Sequence, residues 1–225
     1  MRKYRHELKY IISPNMALLL QSQLKAIMDI DVNSVYQDHT YKIRSLYFDN
    51  DSSDAYYEKL NGVLYREKYR IRYYNDDDTF IRLERKLKHN NMTSKDQIAI
   101  TREICDKIIN GEVEELEGVG LLDEFLNDIK RKHLKPSVIV DYTRLAYTYP
   151  VSEVRITFDS KIKSGIYDYE LFDYELPTVP VIEDKEVVLE IKFNEVLPET
   201  ISMILSTIPM YRQAVSKFAL CRSVK

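Results

Sequence analysis

Apolar and charged residues alternate along several segments of the chain, with the period of two that is typical of β-strands. The clearest case is the stretch YRIRYYNDDDTFIRLERK at 69–86, in which an acidic turn separates two predicted strands. In the first strand, Arg70 and Arg72 share one face and Ile71 lies on the other. The pattern predicts a hairpin and leaves open which face points to the inside.

The same arrangement recurs in other predicted strands. In the segment 41–49 the alternation is weaker, because Arg44 shares its face with Leu46 and Phe48. One interpretation is a half-exposed antiparallel sheet with its charges in solvent. The alternative is a closed barrel whose charged faces point inward. The second is favoured because many strands carry ionic rather than neutral polar faces, with these residues: Glu7 and Lys9; Arg82, Glu84 and Lys86; Arg144; Arg155, Thr157 and Asp159; Glu190 and Lys192.

The remaining segments predict helices between and after the strands. Ser13 can cap a helix that starts at Pro14, and Gly62 fits the end of a short helix. Most connections are short, which favours an antiparallel sheet or barrel over βαβ units. We therefore predict a single α+β domain over 1–225, with strands at 3–12, 41–49, 64–74, 79–88, 137–148, 153–159 and 186–193, helices at 14–27, 51–60, 101–110, 119–132, 197–206 and 212–222, a loop before residue 40 and irregular structure at 163–185.

Composition narrows the classes of function. The chain is 44% hydrophobic and 31% charged with a formal net charge of -3, so its overall charge does not support nucleic-acid binding. Cys105 and Cys221 are far apart in sequence and indicate reduced thiols rather than a disulfide framework. The chain shows neither an apolar signal core nor a run of about 20 apolar residues. We expect a cytoplasmic protein, and attachment to a membrane through a partner remains open.

Inward-pointing cations need an anionic ligand. A polyphosphate chain is a suitable one, because arginine binds phosphate with a planar fork and lysine binds it as a point charge. Carboxylates on the same faces would repel phosphates unless a cation such as Mg²⁺ or Mn²⁺ lies between them. Glu190 fits a metal ligand, and Glu7 and Glu84 fit either that role or an ion pair with a neighbouring cation. Glycine-rich phosphate loops, zinc spacings and a GxSxG signature are lacking.

The segments RHELKY, IRSLYFDN, YRIRYY, LERK, DYTR, VRITFD, LEIKF and SKFAL occur in one order along the chain. This order resembles the vacuolar transporter chaperone (VTC) domain, which belongs to the triphosphate tunnel metalloenzymes, and it extends from residue 2 to about residue 222. The resemblance implies an antiparallel β-barrel tunnel with a basic interior, flanked by helices. It also implies a polymerase that uses Mn²⁺ or Mg²⁺ to transfer the γ-phosphate of ATP to inorganic polyphosphate.

The resemblance also assigns residues. Lys217 would close one end of the tunnel and Glu190 would hold the metal. Lys95 is matched through a predicted loop, whereas Arg44 and Lys192 are added from the alternation, and Glu7 and Glu84 complete the substrate-binding set. The phosphate-gripping residues implied by the motifs are Lys9, Arg70, Arg72, Lys86, Arg144 and Arg155.

One departure distinguishes branches of this superfamily. Its hydrolases and cyclases resemble one another in an ExExK first strand, and the corresponding residues here are Arg5, Glu7 and Lys9. Loss of the first glutamate disfavours a two-metal triphosphatase and favours the polymerase. A hydrolase of tripolyphosphate or nucleoside triphosphates, a non-catalytic polyphosphate-binding module and a structural barrel without ligand are the alternatives.

Overall fold

The structure, a computed structural model, describes residues 4–31, 38–90, 92–165, 168–183 and 185–224. Within these residues, ten strands form one large antiparallel sheet, so the fold is α+β. The strands are β1 (Arg5–Ile12), β2 (Asp29–Ile30), β3 (Thr40–Asp49), β4 (Tyr65–Tyr74), β5 (Asp77–His89), β6 (Met92–Ile100), β7 (Lys135–Tyr149), β8 (Val154–Gly165), β9 (Thr178–Pro180) and β10 (Val187–Phe193).

The strand pairings return to the strand from which they start. The order is β2-β7-β3-β4-β5-β6-β1-β10-β8-β9, and β7 also pairs with β8. Eight strands thus follow one another from β7 through β3, β4, β5, β6, β1, β10 and β8. Successive residues of each strand therefore lie on alternate faces of this sheet.

Six α-helices lie in the described part of the chain: α1 (Pro14–Leu24), α2 (Asp54–Leu60), α3 (Arg102–Ile109), α4 (Leu121–Lys132), α5 (Glu199–Ser206) and α6 (Lys217–Arg222). As predicted, the Ser13 hydroxyl accepts a hydrogen bond from the Met16 N–H and Pro14 occupies the first turn. Gly62 follows α2 with a φ of +70°, which glycine adopts without strain. None of these helices combines the length and the apolar character needed to span a bilayer.

The apolar faces of the strands form the outer surface of the sheet, where helices cover them. Tyr69, Ile71 and Tyr73 of β4 are buried in one cluster with Leu122 and Phe125 of α4. A second cluster joins α1 and α5 to the apolar faces of β8 and β10. The ionic residues alternate with these apolar ones and so lie on the opposite face of the strands, here called the inner face.

Several elements differ from the sequence prediction. The strands β2, β6 and β9 were not predicted, and β8 extends to Gly165. In β6 only the last residues, Ile98 and Ile100, show an apolar alternation. The last helix begins at Lys217 rather than at Arg212, because Arg212 instead forms a β-bridge with Tyr10. Of the predicted loop before residue 40, residues 32–37 lie outside the described residues, as do 166–167 and 184 of the 163–185 region.

Candidate functional site

The ionic faces of the strands line a cavity of about 340 Å³. Among the described residues, twelve lysine and arginine side chains line it, and Glu190 is the one carboxylate that does so. The cavity therefore has a strong excess of positive charge. Its cationic residues are Arg5, Lys9, Lys68, Arg70, Arg72, Arg82, Lys86, Lys95, Arg144, Arg155, Lys192 and Lys217.

Most of the residues assigned from sequence meet at this cavity. Glu7 lies beside it, in the lining of a second cavity, and Glu84 is buried behind the cationic surface. Arg44 does not belong to either lining. The assigned residues that the cavity brings together are Lys9, Arg70, Arg72, Lys86, Lys95, Arg144, Arg155, Glu190, Lys192 and Lys217.

Glu84 organises two of the cavity's cations. Its carboxylate accepts a hydrogen bond of 2.6 Å from Arg70 Nε and one of 3.0 Å from Lys95 Nζ. Burial would raise the pKa of Glu84, but the surrounding cations, Arg70 first among them, hold it well below its usual range. Glu84 is thus a permanently charged partner that positions Arg70 and Lys95. This arrangement favours the ion-pair alternative for Glu84 over the metal-ligand one.

Tyrosine hydroxyls hold three further contacts of the arginines. Arg72 donates to Tyr142 Oη at 2.9 Å, and Arg155 donates to Tyr41 Oη at 2.8 Å. Arg70 donates in the same way to Tyr47 Oη at 2.8 Å. These neutral acceptors help to fix the guanidinium groups and add no negative charge, although Arg70 is also paired with Glu84 and Arg155 with Asp31.

A buried ionic cluster joins the wall of the cavity to α6. Arg144 donates two hydrogen bonds, of 2.6 and 2.8 Å, to the Asp159 carboxylate, and Lys217 Nζ lies 2.5 Å from it. The Ser216 hydroxyl accepts from the Ala219 N–H and so caps α6, which places Lys217 in its first turn. Asp159 therefore anchors both the strand and the helix that closes over the site.

Asp159→Asn is expected to lower the free energy of unfolding by roughly 3–5 kcal/mol, because Arg144 and Lys217 would remain buried without a counter-charge. Chemical denaturation of the two proteins measures this difference. The matched control is Asp106→Asn, whose partner Arg102 is exposed, and its expected effect is below about 1 kcal/mol. Tripolyphosphate should stabilise Asp159→Asn more than the wild type by supplying the missing negative charge.

The same carboxylate gives a pH dependence with a defined sign. Burial opposes its ionisation, but Arg144 and Lys217 lower the pKa of Asp159 to about 2. Its stabilising contribution is fully present above the unfolded pKa of about 3.9 and disappears as the pH falls through about 2. Equal acid dependence of Asp159→Asn and wild type would contradict the assignment.

Glu7 and Glu190 form the acidic part of the site. Lys86 Nζ donates to both oxygens of Glu7 at 2.8 Å, and Lys9 Nζ lies 3.5 Å from Glu7 and 3.9 Å from Glu190. Lys192 forms an ion pair with Glu190 Oε1, although this oxygen accepts no hydrogen bond. Burial would raise the pKa of Glu190, but Lys192 and Lys9 hold it well below its usual range. Burial likewise opposes ionisation of Glu7, but Lys86 and Lys9 lower its pKa, and its carboxylate lies beside that of Glu190.

Arg44, which was predicted to bind substrate, lies outside the lining of the cavity. Arg44 donates to both oxygens of Asp141, at 2.9 and 2.8 Å, and to the carbonyl oxygens of Leu171 and Asp173. These partners lie on the outer face of the sheet, where Leu46 packs into the hydrophobic cluster. The alternation already placed Arg44 with apolar residues, and that face proved to be the outer one.

The sequence analysis missed several residues that line the site. Lys68 lies two positions before Arg70 in β4, so the alternation of this strand extends further than was used. Arg82 was placed on a charged face without a role, and Arg5 was considered only as a departure from ExExK. Tyr47, an apolar-looking position in its strand, gave no signal of its contact with Arg70.

A second cavity, of about 530 Å³, adjoins the first. The two share Lys9, Lys68, Lys86 and Ser216, which we call the neck. Beyond the neck, the second cavity is also rich in cations, and Glu7 is the one carboxylate among its described lining residues. Its further basic residues are Lys59, Arg66, Lys88 and Arg212.

The fold and the site define an α+β protein in which one large antiparallel sheet and α6 line a cavity rich in lysine and arginine. A model of the VTC domain matches residues 4–224, and the chain therefore belongs to the VTC domain family. The match confirms the family suggested by the order of the motifs.

One solved structure supports the fold, and a second is reported for comparison. A "putative adenylate cyclase" from Bacillus halodurans is similar with a TM-score of 0.55 at 13% identity, over 92% of this chain and 88% of that one. A protein from Pyrococcus horikoshii OT3 matches with a TM-score of 0.48 at 13% identity, over 98% of this chain and 100% of that one. At such identity the first likeness bears on the fold alone.

Proposed function

We propose that the chain is a metal-dependent polyphosphate polymerase, which transfers the γ-phosphate of ATP to the end of an inorganic polyphosphate chain and releases ADP. The observation that carries the proposal is the cavity itself, with twelve cationic side chains and the single lining carboxylate of Glu190 among the described residues. Such a surface suits a ligand with charge along its whole length. Membership of the VTC domain family supports the same substrate class.

We further propose that the eight strands from β7 to β8 enclose a tunnel. The cycle of pairings supports this architecture, and so do the two apolar clusters that pack helices against the strand faces opposite the ionic cavity. The neck and the second cavity would continue the tunnel beyond the first cavity. A growing chain could then leave by threading through the neck, without being released after each transfer.

In the transfer step, an oxygen of the terminal phosphate of the chain attacks the γ-phosphorus of ATP. A new P–O bond forms, the bond between the γ-phosphorus and the β,γ-bridging oxygen breaks, and ADP leaves with the electron pair. A phosphate oxygen is already a nucleophile near neutral pH, so no general base is needed. Arg70, Arg72, Lys86, Arg144, Arg155 and Lys217 would align the two phosphates in line and neutralise their charge.

Other residues of the cavity would extend the grip on the substrate. Lys9, Lys95 and Lys192 also line the cavity and would add positive charge around the phosphates. Glu84 keeps Arg70 and Lys95 in position. The hydrogen bonds to tyrosine already restrict the rotamers of Arg72 and Arg155, so these side chains would lose less conformational entropy when a ligand binds.

The donor set fits a divalent cation. Glu190 is the one carboxylate among the described residues that line the cavity, and the carboxylate of Glu7 lies next to it. Mg²⁺ and Mn²⁺ are usually bound through one or two carboxylates together with substrate phosphates and water. No group of three or more His, Cys, Asp or Glu side chains arranged for a metal occurs among the described residues. When bound at Glu190, the metal would neutralise charge on the triphosphate.

A hydrolase in the same cavity is the main rival. Arg5 supports the polymerase, because it lines the cavity where a first-strand glutamate would otherwise supply a metal ligand. An arginine at this position adds a phosphate contact and removes a carboxylate that would help to activate water.

Incubation of the purified protein with ATP and Mn²⁺, followed by sizing of the products on a gel, distinguishes the two activities. The polymerase produces long chains together with ADP, whereas a hydrolase releases orthophosphate together with ADP and produces no long chains. Tight binding of polyphosphate without turnover in Mn²⁺ or Mg²⁺ would instead identify a non-catalytic binding module.

A further inference from the structure

Lys68 is the cation of the neck that has no acceptor among the described residues. Its Nζ is buried and makes no hydrogen bond, and it lies 4.1 Å from the centroid of the Phe218 ring. By contrast, Lys86 bonds to Glu7, and Lys9 donates to the Val215 carbonyl oxygen at 3.2 Å. A buried ammonium group without an acceptor is unfavourable, so an anion that enters the neck would satisfy it.

No carboxylate of the described residues accepts a hydrogen bond from Lys68. Asp49 and Glu58 of α2 act on it electrostatically, but the Asp49 oxygens accept hydrogen bonds from the backbone N–H groups of Asn50, Ala55 and Tyr56 at the start of α2. Three cations oppose these carboxylates, namely Lys59 of α2, Arg66 of β4 and Lys86 of β5.

We propose that Lys68 is a phosphate-binding residue of the neck, where it contacts a phosphate group of a linear chain that extends from the first cavity into the second. The proposal rests on the proposed function and adds to it a residue outside the motifs that resemble the family. Phosphate oxygens provide the charged acceptors that Lys68 lacks. The contact also places a phosphate beside Lys9 and Lys86, so the chain would be held on several sides as it passes.

Binding at Lys68 is expected to be linked to proton uptake. Burial, followed by the nearby Arg66, lowers the pKa of Lys68 to about 7. A phosphate group at this position favours the ammonium form. At about pH 7, a chain that reaches the neck should therefore cause uptake of about half a proton, and affinity should fall as the pH rises from about 6 to about 8.

Titration calorimetry with two inorganic ligands tests the contact. Lys68→Met is expected to weaken binding of long-chain polyphosphate by at least about 10-fold and binding of pyrophosphate by less than about 2-fold, because only the long chain must pass the neck. Lys130→Met, at an exposed surface lysine, is the control for loss of one charge and should match the wild type. Thermal unfolding without ligand shows whether each variant is folded.

Lys68→Arg separates charge from proton uptake. Arginine keeps its charge at every accessible pH, so this variant should bind the long chain within about 3-fold of the wild type. Repeating the titrations in buffers of different ionisation enthalpy should show that the proton uptake has been lost.

The outcomes separate this proposal from the proposed function. If Lys68→Met binds the long chain as tightly as the wild type does, or loses affinity for both ligands equally, the role of Lys68 is overturned and the polymerase proposal stands. If the wild type binds neither ligand, the proposed function itself fails.

Discussion

Glu190→Gln is expected to reduce metal-dependent turnover of ATP by more than about 100-fold while leaving the fold intact. The substitution keeps the shape of the side chain but removes the negative charge that would hold the cation. Because Lys9 and Lys192 then lose a counter-charge, binding of tripolyphosphate in the presence of a chelator should be retained or strengthened. The measurements are product formation with Mn²⁺ and calorimetry without metal.

Glu195→Gln provides the matched control. Glu195 is exposed and lies five positions further along the chain, so the same chemical change there should leave both measurements unaltered. Turnover by Glu190→Gln at the wild-type rate would remove the metal role of Glu190. If Glu190→Gln loses both turnover and the binding of tripolyphosphate in the presence of a chelator, Glu190 only maintains the shape of the cavity.

Arg72→Ala is expected to weaken binding of a non-hydrolysable ATP analogue by about 10- to 100-fold. Arg72 is buried, and its hydrogen-bond partners are the neutral hydroxyls of Ser45 and Tyr142. Replacing Arg72 therefore breaks no hydrogen bond to a carboxylate. The decrease in affinity then reports mainly on the contact between Arg72 and the ATP analogue. A charge-assisted hydrogen bond is worth about 1.5–3 kcal/mol, which corresponds to this range of affinity.

Arg70→Ala is a less direct test of the same idea, because it also deprives the buried Glu84 of its closest partner. Arg131→Ala is the control for Arg72→Ala, since Arg131 is a surface arginine on α4 that pairs with Asp128. Calorimetry should give the control the wild-type affinity. An unchanged affinity of Arg72→Ala would argue against phosphate binding in the cavity.

The alternation of the strands was the part of the fold most accessible from sequence. In β4, β5, β8 and β10 each residue has one of two orientations, so locating one ionic face predicts the rest. In β3 the rule was less clear, because Arg44 is a single charged residue on the face that also carries Leu46 and Phe48. Its assignment to the substrate site followed the charge of the side chain rather than the face on which it lies. Its bidentate partner, Asp141, is almost a hundred residues away in the chain.

Contacts between distant segments were beyond the reach of the pattern. Lys95 belongs to a strand whose first half is polar, so periodicity did not reveal the strand, although a matching basic residue was expected there. The pairing of Asp159 with Lys217 joins residues 58 positions apart, and the isolation of Lys68 depends on how Asp49 is used by α2. Such features follow from packing and have no signature in local sequence.

The ion pairs within the cavity have a consequence for how binding of phosphate and binding of a metal would depend on each other. Lys9, Lys86 and Lys192 are occupied by Glu7 and Glu190 in the structure. A phosphate that paired with these lysines would free the two carboxylates from their ion pairs. The carboxylates could then bind a divalent cation. Binding of the phosphate would thus increase the affinity for the metal. By thermodynamic linkage, binding of the metal would increase the affinity for the phosphate by the same factor. The cavity would then select the metal–triphosphate complex over either component alone.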